Sequence, residues 1–285
     1  MYIIHNISEL RQVIIGYKQS GKVIAFVPTM GNLHQGHIKL VEMASSEADI
    51  VICSIFVNPM QFAEGEDFEQ YPRTLEDDAE KLRAVACDIV FAPTIDEMYP
   101  QSQLNGRDQS QVNVPAISDI LDGASRPGHF TGVATIVTKL FNMVQPDKAI
   151  FGEKDYQQLI IIRHFVKDLC FPIEIIAHPI VRENNGLAMS SRNAYLTNKQ
   201  KHQGSFLYQT LQNISTQIHN GIRDYSQLEK NAEHDLNTQG FVCDYVKIRA
   251  ADLSKATAES QNLVVLLAAY LGKTRLIDNI QINTN

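Results

Sequence analysis

The chain has 285 residues, 44% hydrophobic and 20% charged, which supplies the core of one large or two ordinary globular domains and excludes a disordered polymer. A net charge of −7 argues against a general nucleic-acid binder, which needs a basic face to neutralise phosphates. No apolar run approaches the roughly 18 residues of a membrane span, and the opening MYIIHNISELRQ has no signal-peptide pattern, so no membrane partner is expected. Cys53, Cys87, Cys170 and Cys243 stand far apart without a C-x-x-C pair. They are expected to be reduced, mostly buried thiols of a cytosolic protein rather than a zinc site or a redox dithiol.

In chain order, KVIAFVP (22–28) reads as a strand and 36–48 as a helix. DIVICSIFVNP (49–59) is the next strand, followed by a helix over 74–86 with Leu75, Ala79, Leu82 and Ala86 on one face. CDIVFAP (87–93) is a strand, 130–144 a helix, and KAIFG (148–152) a strand. A helix over 155–169 and a strand over 172–181 complete the series. The strands are continuous apolar runs, as in a parallel sheet covered on both faces. Their alternation with helices predicts a doubly wound, Rossmann-like α/β domain over 1–183. Beyond the polar loop ENNGLAMSSRN, helical segments over 198–219 and 225–238 precede strands over 243–250 and 262–271, the second continuing toward TRLIDNIQI. That order predicts a smaller α+β domain over 184–285.

Ligands of open parallel sheets bind beyond the carboxyl ends of the strands. After the first predicted strand comes MGNLHQGH (30–37), with His34 before a helix and His37 in its first turn. A helix start offers free N–H groups and a positive dipole end, so this is a candidate anion site. A glycine-rich turn with two incidental histidines fits the same four residues. Gln61, in NPMQF, is either a neutral substrate-orienting group or a loop glutamine. In GEKDYQQL (152–159), Asp155 and Gln158 have capping-box spacing. Lys154 opposes the helix dipole there, which makes sense beside an anion. MSSRN (189–193) brings two hydroxyls and a guanidinium, suited either to clamping phosphates or to a surface turn. GASRPGHFTG places Arg126 and His129 before a helix; Arg126 fits a carboxylate or phosphate contact and an interface or salt-bridge role equally. Asp77 and Asp78 read as a solvated helix face, with Mg²⁺ ligation the alternative.

H-x-G-H after the first strand, with a serine-rich basic loop after the last, resembles the class I nucleotidyltransferase and aminoacyl-tRNA synthetase superfamily. FVPTMGNLHQGH, SIFVNPMQF, YPRT, GASRPGHFTGV, FGEKDYQQL and GLAMSSRNAYL, with VKIR and TRLIDN in the tail, resemble the pantothenate synthetase (pantoate–β-alanine ligase) family over nearly the whole chain. Gln35 and Ala63 are minor departures.

The resemblance implies ATP-dependent condensation of (R)-pantoate with β-alanine through a pantoyl-adenylate, releasing AMP and pyrophosphate on the way to coenzyme A. It also implies Mg²⁺, a cytoplasmic homodimer, and a lid formed by 184–285. By resemblance, His37, His34 and Lys154 are catalytic, His37 as proton donor. ATP contacts fall on Met30, Gly31, Asn32, Leu33, His34, Gln35, Gly36 and His37, and on Gly152, Glu153, Lys154, Asp155, Val181, Met189, Ser190, Ser191 and Arg192. Gln61 meets pantoate and β-alanine, Gln158 meets pantoate, and Pro28, Met30 and Phe62 form apolar walls. A nucleotidyltransferase using a phosphate nucleophile is disfavoured by the glutamines, since a second phosphate calls for more Lys or Arg. A catalytically dead nucleotide binder is disfavoured by His34, His37, Lys154 and Arg192 together, and a tRNA synthetase by length and acidity.

Overall fold

The computed structural model describes residues 1–63 and 65–284. The chain folds into two compact units, residues 1–153 with 161–179 and residues 154–160 with 180–285.

The first unit is built on six strands, β1 (Tyr2–Ile4), β2 (Ile24–Thr29), β3 (Ile50–Ile55), β4 (Ile89–Phe91), β5 (Lys148–Gly152) and β6 (Glu174–His178). Every pairing is parallel and the spatial order is β1-β4-β3-β2-β5-β6. The helices are α1 (Ile7–Gln19), α2 (Gln35–Glu47), α3 (Leu75–Ala84), α4 (Ile95–Met98), α5 (Asp122–Ser125), α6 (His129–Val144) and α7 (Tyr156–Asp168), of which residues 156–160 belong to the second unit. Alternation decides which face each side chain meets. Val27, Val51 and Cys53 cluster with Leu40, Val41 and Ala44 of α2. Phe26 and Phe151 instead meet Phe141 of α6, each with ring centroids 6.4 Å apart. Strands buried on both sides read as unbroken apolar runs for that reason. The order reverses between β2 and β5, so the topological switch point lies at the strands that lead into MGNLHQGH and GEKD.

Several expectations are corrected. β1 and α1 were not foreseen: three residues are too few to show a period, and of α1 only Leu10 and Ile14 are fully buried. The strand expected over 49–59 ends at Ile55, because Asn58 caps a 3₁₀ turn, Pro59–Gln61. The strand expected to reach residue 181 ends at His178, before Pro179.

The second unit contains α8 (Asn198–Gly204), α9 (Phe206–His219), α10 (Tyr225–Thr238) and an antiparallel sheet of β7 (Val242–Ala250), β8 (Asn262–Leu271) and β9 (Thr274–Asn283). Leu211, Ile214 and Ile218 of α9 and Leu228 and Leu236 of α10 share a core with Val246, Val265 and Leu267 of the sheet. The single helix expected over 198–219 is broken at Ser205, and a Cβ on the preceding Gly204 would lie 3.0 Å from Leu187. The last apolar stretch is two strands, turned at Gly272 with φ +63°. All four cysteines are free, but only Cys53 and Cys87 are buried; Cys170 is exposed and Cys243 half-buried.

Candidate functional site

In the first unit, His34 is the N-cap of α2 and its Nδ1 accepts the Gly36 N–H at 3.1 Å. His37, one turn on, accepts the His34 N–H at its own Nδ1, 3.4 Å away. The two histidines thus form a capping box in place of the usual Ser/Thr and Glu. Their rings lie 4.1 Å apart, tilted by 31°. A backbone N–H only donates, so both Nδ1 atoms are acceptors and each neutral imidazole carries its proton on Nε2. The structural and functional readings of H-x-G-H are therefore compatible: one edge of each ring closes the helix and the other is a donor.

The loop before them is held from behind. Gly31 and Asn32 adopt φ of +81° and +50°, and a Cβ on Gly31 would lie 3.0 Å from Ile55 and 3.2 Å from Asp78. The fully buried Asp78 carboxylate accepts the N–H groups of Asn32 at 2.8 Å and Leu33 at 2.7 Å and the Thr74 hydroxyl at 3.1 Å. Lys81 donates to the Leu33 carbonyl at 2.8 Å. Asp78 is thus a loop anchor rather than part of a solvated face, whereas Asp77 is exposed. Among the described residues no three His, Cys, Asp or Glu side chains gather to hold a metal.

Gln61 is buried, not a surface-loop glutamine. Asn58 orients it. The Asn58 Oδ1 accepts the Met60 N–H at 3.3 Å and the Tyr99 hydroxyl at 2.7 Å, while its Nδ2 donates to the Gly132 carbonyl at 3.1 Å. These partners fix which end of Asn58 is nitrogen. The Gln61 atom 3.0 Å from that Nδ2 is therefore Oε1, and its Nε2 amino group is the donor end. Gly132 of α6 packs against this turn, since a Cβ there would lie 2.3 Å from the Met60 carbonyl oxygen.

Arg126 and His129 buttress the same turn. Arg126 forms a two-pronged pair with Glu66, at 2.7 and 2.6 Å, and donates to the Gln61 carbonyl at 3.2 Å. The His129 Nδ1–H donates to that carbonyl at 2.8 Å, so its Nε2 accepts from Arg126 at 3.2 Å. Burial, with the Arg126 charge beside it, pulls His129 down to about 4, and the ring is neutral at pH 7. Burial pushes Glu66 up, but the Arg126 bonds and charge prevail and its carboxyl titrates below the usual range. Of the expected apolar walls, Phe62 is buried and packs edge-on to Phe68 and Tyr71, while Pro28 and Met30 are half-buried.

In the second unit, Lys154 lies in a 3₁₀ turn, Glu153–Asp155, with its Nζ 3.9 Å from the Asp155 carboxylate. Gln158 follows, half-buried, in α7, and Gly152 closes β5. Residues 181–189 form a hairpin: Met189 N–H donates to the Val181 carbonyl at 3.0 Å, and Arg182 bridges Ala188. Ser190, Ser191 and Arg192 leave its end, with the Ser190 hydroxyl accepting the Arg192 N–H at 3.3 Å. Asn193 pins the base by donating to Glu183 at 3.0 Å and to the Ala188 carbonyl at 3.1 Å.

The sequence reading missed Asn58 and Arg182, and Asp278 and Asn279 of β9. The Asn-Pro step was a legible turn signal for Asn58. Arg182 and Asp278 are 96 residues apart, and no local pattern links them.

A family model described as pantoate-beta-alanine ligase matches residues 2–281. The pantothenate synthetase of Pseudomonas fluorescens is 52% identical over 284 residues, covering 99% of this chain and 98% of its own. Among solved structures, pantothenate synthetase from Thermus thermophilus is 39% identical with a TM-score of 0.90, covering 98% of this chain and 99% of that one. Pantoate-beta-alanine ligase from Francisella tularensis, determined with beta-gamma ATP and beta-alanine bound, is 35% identical with a TM-score of 0.82, over 98% of this chain and 97% of that one. Agreement in sequence and fold along nearly the full length assigns the chain to the pantoate–β-alanine ligase family.

Proposed function

We propose that the protein condenses (R)-pantoate with β-alanine in two ATP-driven steps. The pantoate carboxylate attacks the α-phosphorus of ATP and displaces pyrophosphate, giving pantoyl-adenylate. The β-alanine amine then attacks the acyl carbon, forms the amide, loses a proton and displaces AMP. The observation that carries this reading is the match to the pantoate–β-alanine ligase family along nearly the full chain, with His34 and His37 closing the start of α2 through both Nδ1 atoms. The ligands bound to the Francisella tularensis relative, beta-gamma ATP and beta-alanine, support the choice of nucleotide and amine.

In this reading, residues 30–37 present the start of α2 to the phosphates, and the His37 Nε2–H donates a hydrogen bond to the charge building on departing pyrophosphate. Lys154 neutralises phosphate charge, and Ser190, Ser191 and Arg192 hold the β- and γ-phosphates. Gly152, Glu153, Asp155, Val181 and Met189 contact the nucleotide. The Gln61 amino group donates to pantoate and then meets β-alanine, and Gln158 holds pantoate. Apolar walls keep water from the acyl-adenylate. A Mg²⁺ ion fits this donor set as a passenger on the nucleotide, because Mg²⁺ readily takes phosphate oxygens and water in place of a protein cage. When bound, it would offset charge on the β- and γ-phosphates. A cytoplasmic homodimer belongs to the same proposal, and sedimentation equilibrium at twice the monomer mass tests the assembly.

The deciding experiment is exchange of labelled pyrophosphate into ATP without β-alanine. Exchange that requires pantoate is expected. Exchange without pantoate, or none with folded protein, overturns the reading.

A further inference from the structure

Two neighbouring residues of β9 hold two segments of the second unit. Asp278 is buried and receives Arg182 in a two-pronged pair, Nη1 to Oδ2 at 2.6 Å and Nη2 to Oδ1 at 2.9 Å. Arg182 sits one residue inside the Val181–Met189 mouth of the hairpin and also donates to the Gly186 carbonyl across it, at 3.0 Å. Its guanidinium lies 3.7 Å from the centre of the Tyr208 ring. Gly186 has φ +94°, and a Cβ there would lie 3.0 Å from the same ring. The next residue, buried Asn279, donates through Nδ2 to the Lys154 carbonyl at 3.0 Å.

A buried ion pair is weak evidence for stability, because desolvation offsets most of its attraction. Its geometric effect is less ambiguous. A planar guanidinium gripped at both nitrogens and stacked on a ring has little freedom left. We infer that Asp278 and Asn279 are positioning residues for the nucleotide half-reaction: Asp278, through Arg182, sets the hairpin that carries Val181, Met189 and the MSSRN loop, and Asn279 sets the turn that carries Lys154. This rests on the ATP-binding reading of those segments.

The test separates positioning from stability. Arg182→Met with Asp278→Leu removes both charges while keeping a flexible stem against Tyr208, a replacement that cores often tolerate. The double variant is expected to melt near the wild type and leave the KM for pantoate unchanged. Its kcat/KM for ATP in pyrophosphate exchange should fall roughly 10- to 100-fold, the usual effect of losing support around a reacting group. Asn279→Ala should lower kcat/KM for ATP in the same direction, and it decides the matter if the double variant does not fold. Wild-type kcat/KM for ATP in the folded double variant or in Asn279→Ala overturns the inference, as does an equal rise in KM for pantoate, which marks general disruption. Wild-type protein assayed alongside keeps the two ideas apart. If it shows no pantoate-dependent exchange, the functional reading fails; if it exchanges normally and the variants match it, only the positioning role fails.

Discussion

His34 and His37 both use the Nδ1 edge of their rings to close the start of α2. Replacing either removes a cap worth about 1 kcal/mol and, in the proposed reaction, a donor whose loss typically costs about 2.7–4 kcal/mol of transition-state stabilisation. His37→Ala and Lys154→Ala are therefore expected to slow adenylation by at least roughly 10²-fold in stopped-flow measurements of the first half-reaction. A near-normal rate would remove that residue from the catalytic set. His129 gives a pH prediction. Its folded value of about 4 lies below the ordinary 6.5. Its contribution is complete above pH 6.5 and is lost as pH falls through the folded value, by up to about 3 kcal/mol. Melting temperature should thus fall more steeply with acidification in the wild type than in His129→Asn. The KM for pantoate should rise over the same range, because His129 holds the Gln61 carbonyl.

At the scale of elements, α6 and the Pro59–Gln61 turn are interlocked at Gly132, where a Cβ would lie 2.3 Å from the Met60 carbonyl oxygen. Gly132→Ala is expected to cost about 1–3 kcal/mol in urea denaturation, as overpacking does. It should raise the KM for pantoate more than that for ATP, because the displaced turn carries Gln61. The loop 31–33 depends similarly on α3, whose Asp78 accepts two of its N–H groups. Most elements were legible because buried strands and amphipathic helices impose their periods on the sequence. β1 was too short for a period, the break at Ser205 lies within one helical pattern, and Gly272 was the only mark separating β8 from β9.

For the whole molecule, metal dependence and stability should separate. No cluster of three His, Cys, Asp or Glu side chains gathers among the described residues. EDTA is therefore expected to abolish pyrophosphate exchange, restored by added Mg²⁺, while the melting temperature of the ATP-free protein stays unchanged. A drop in melting temperature would reveal a protein-held ion. The sequence by itself determined the doubly wound sheet, the smaller α+β unit and the motifs following β2 and β5, because burial on both faces and helix starts leave local, periodic marks. It also carried the family resemblance, spread over blocks in fixed order. Only the tertiary structure decided the roles of the residues behind those motifs. Asp78 under the histidine loop, Tyr99 and Asn58 behind Gln61, and Asp278 behind Arg182 bond across 41 to 96 residues of chain. Such pairs leave no periodicity, since a buried polar group needs a partner close in space and not in sequence.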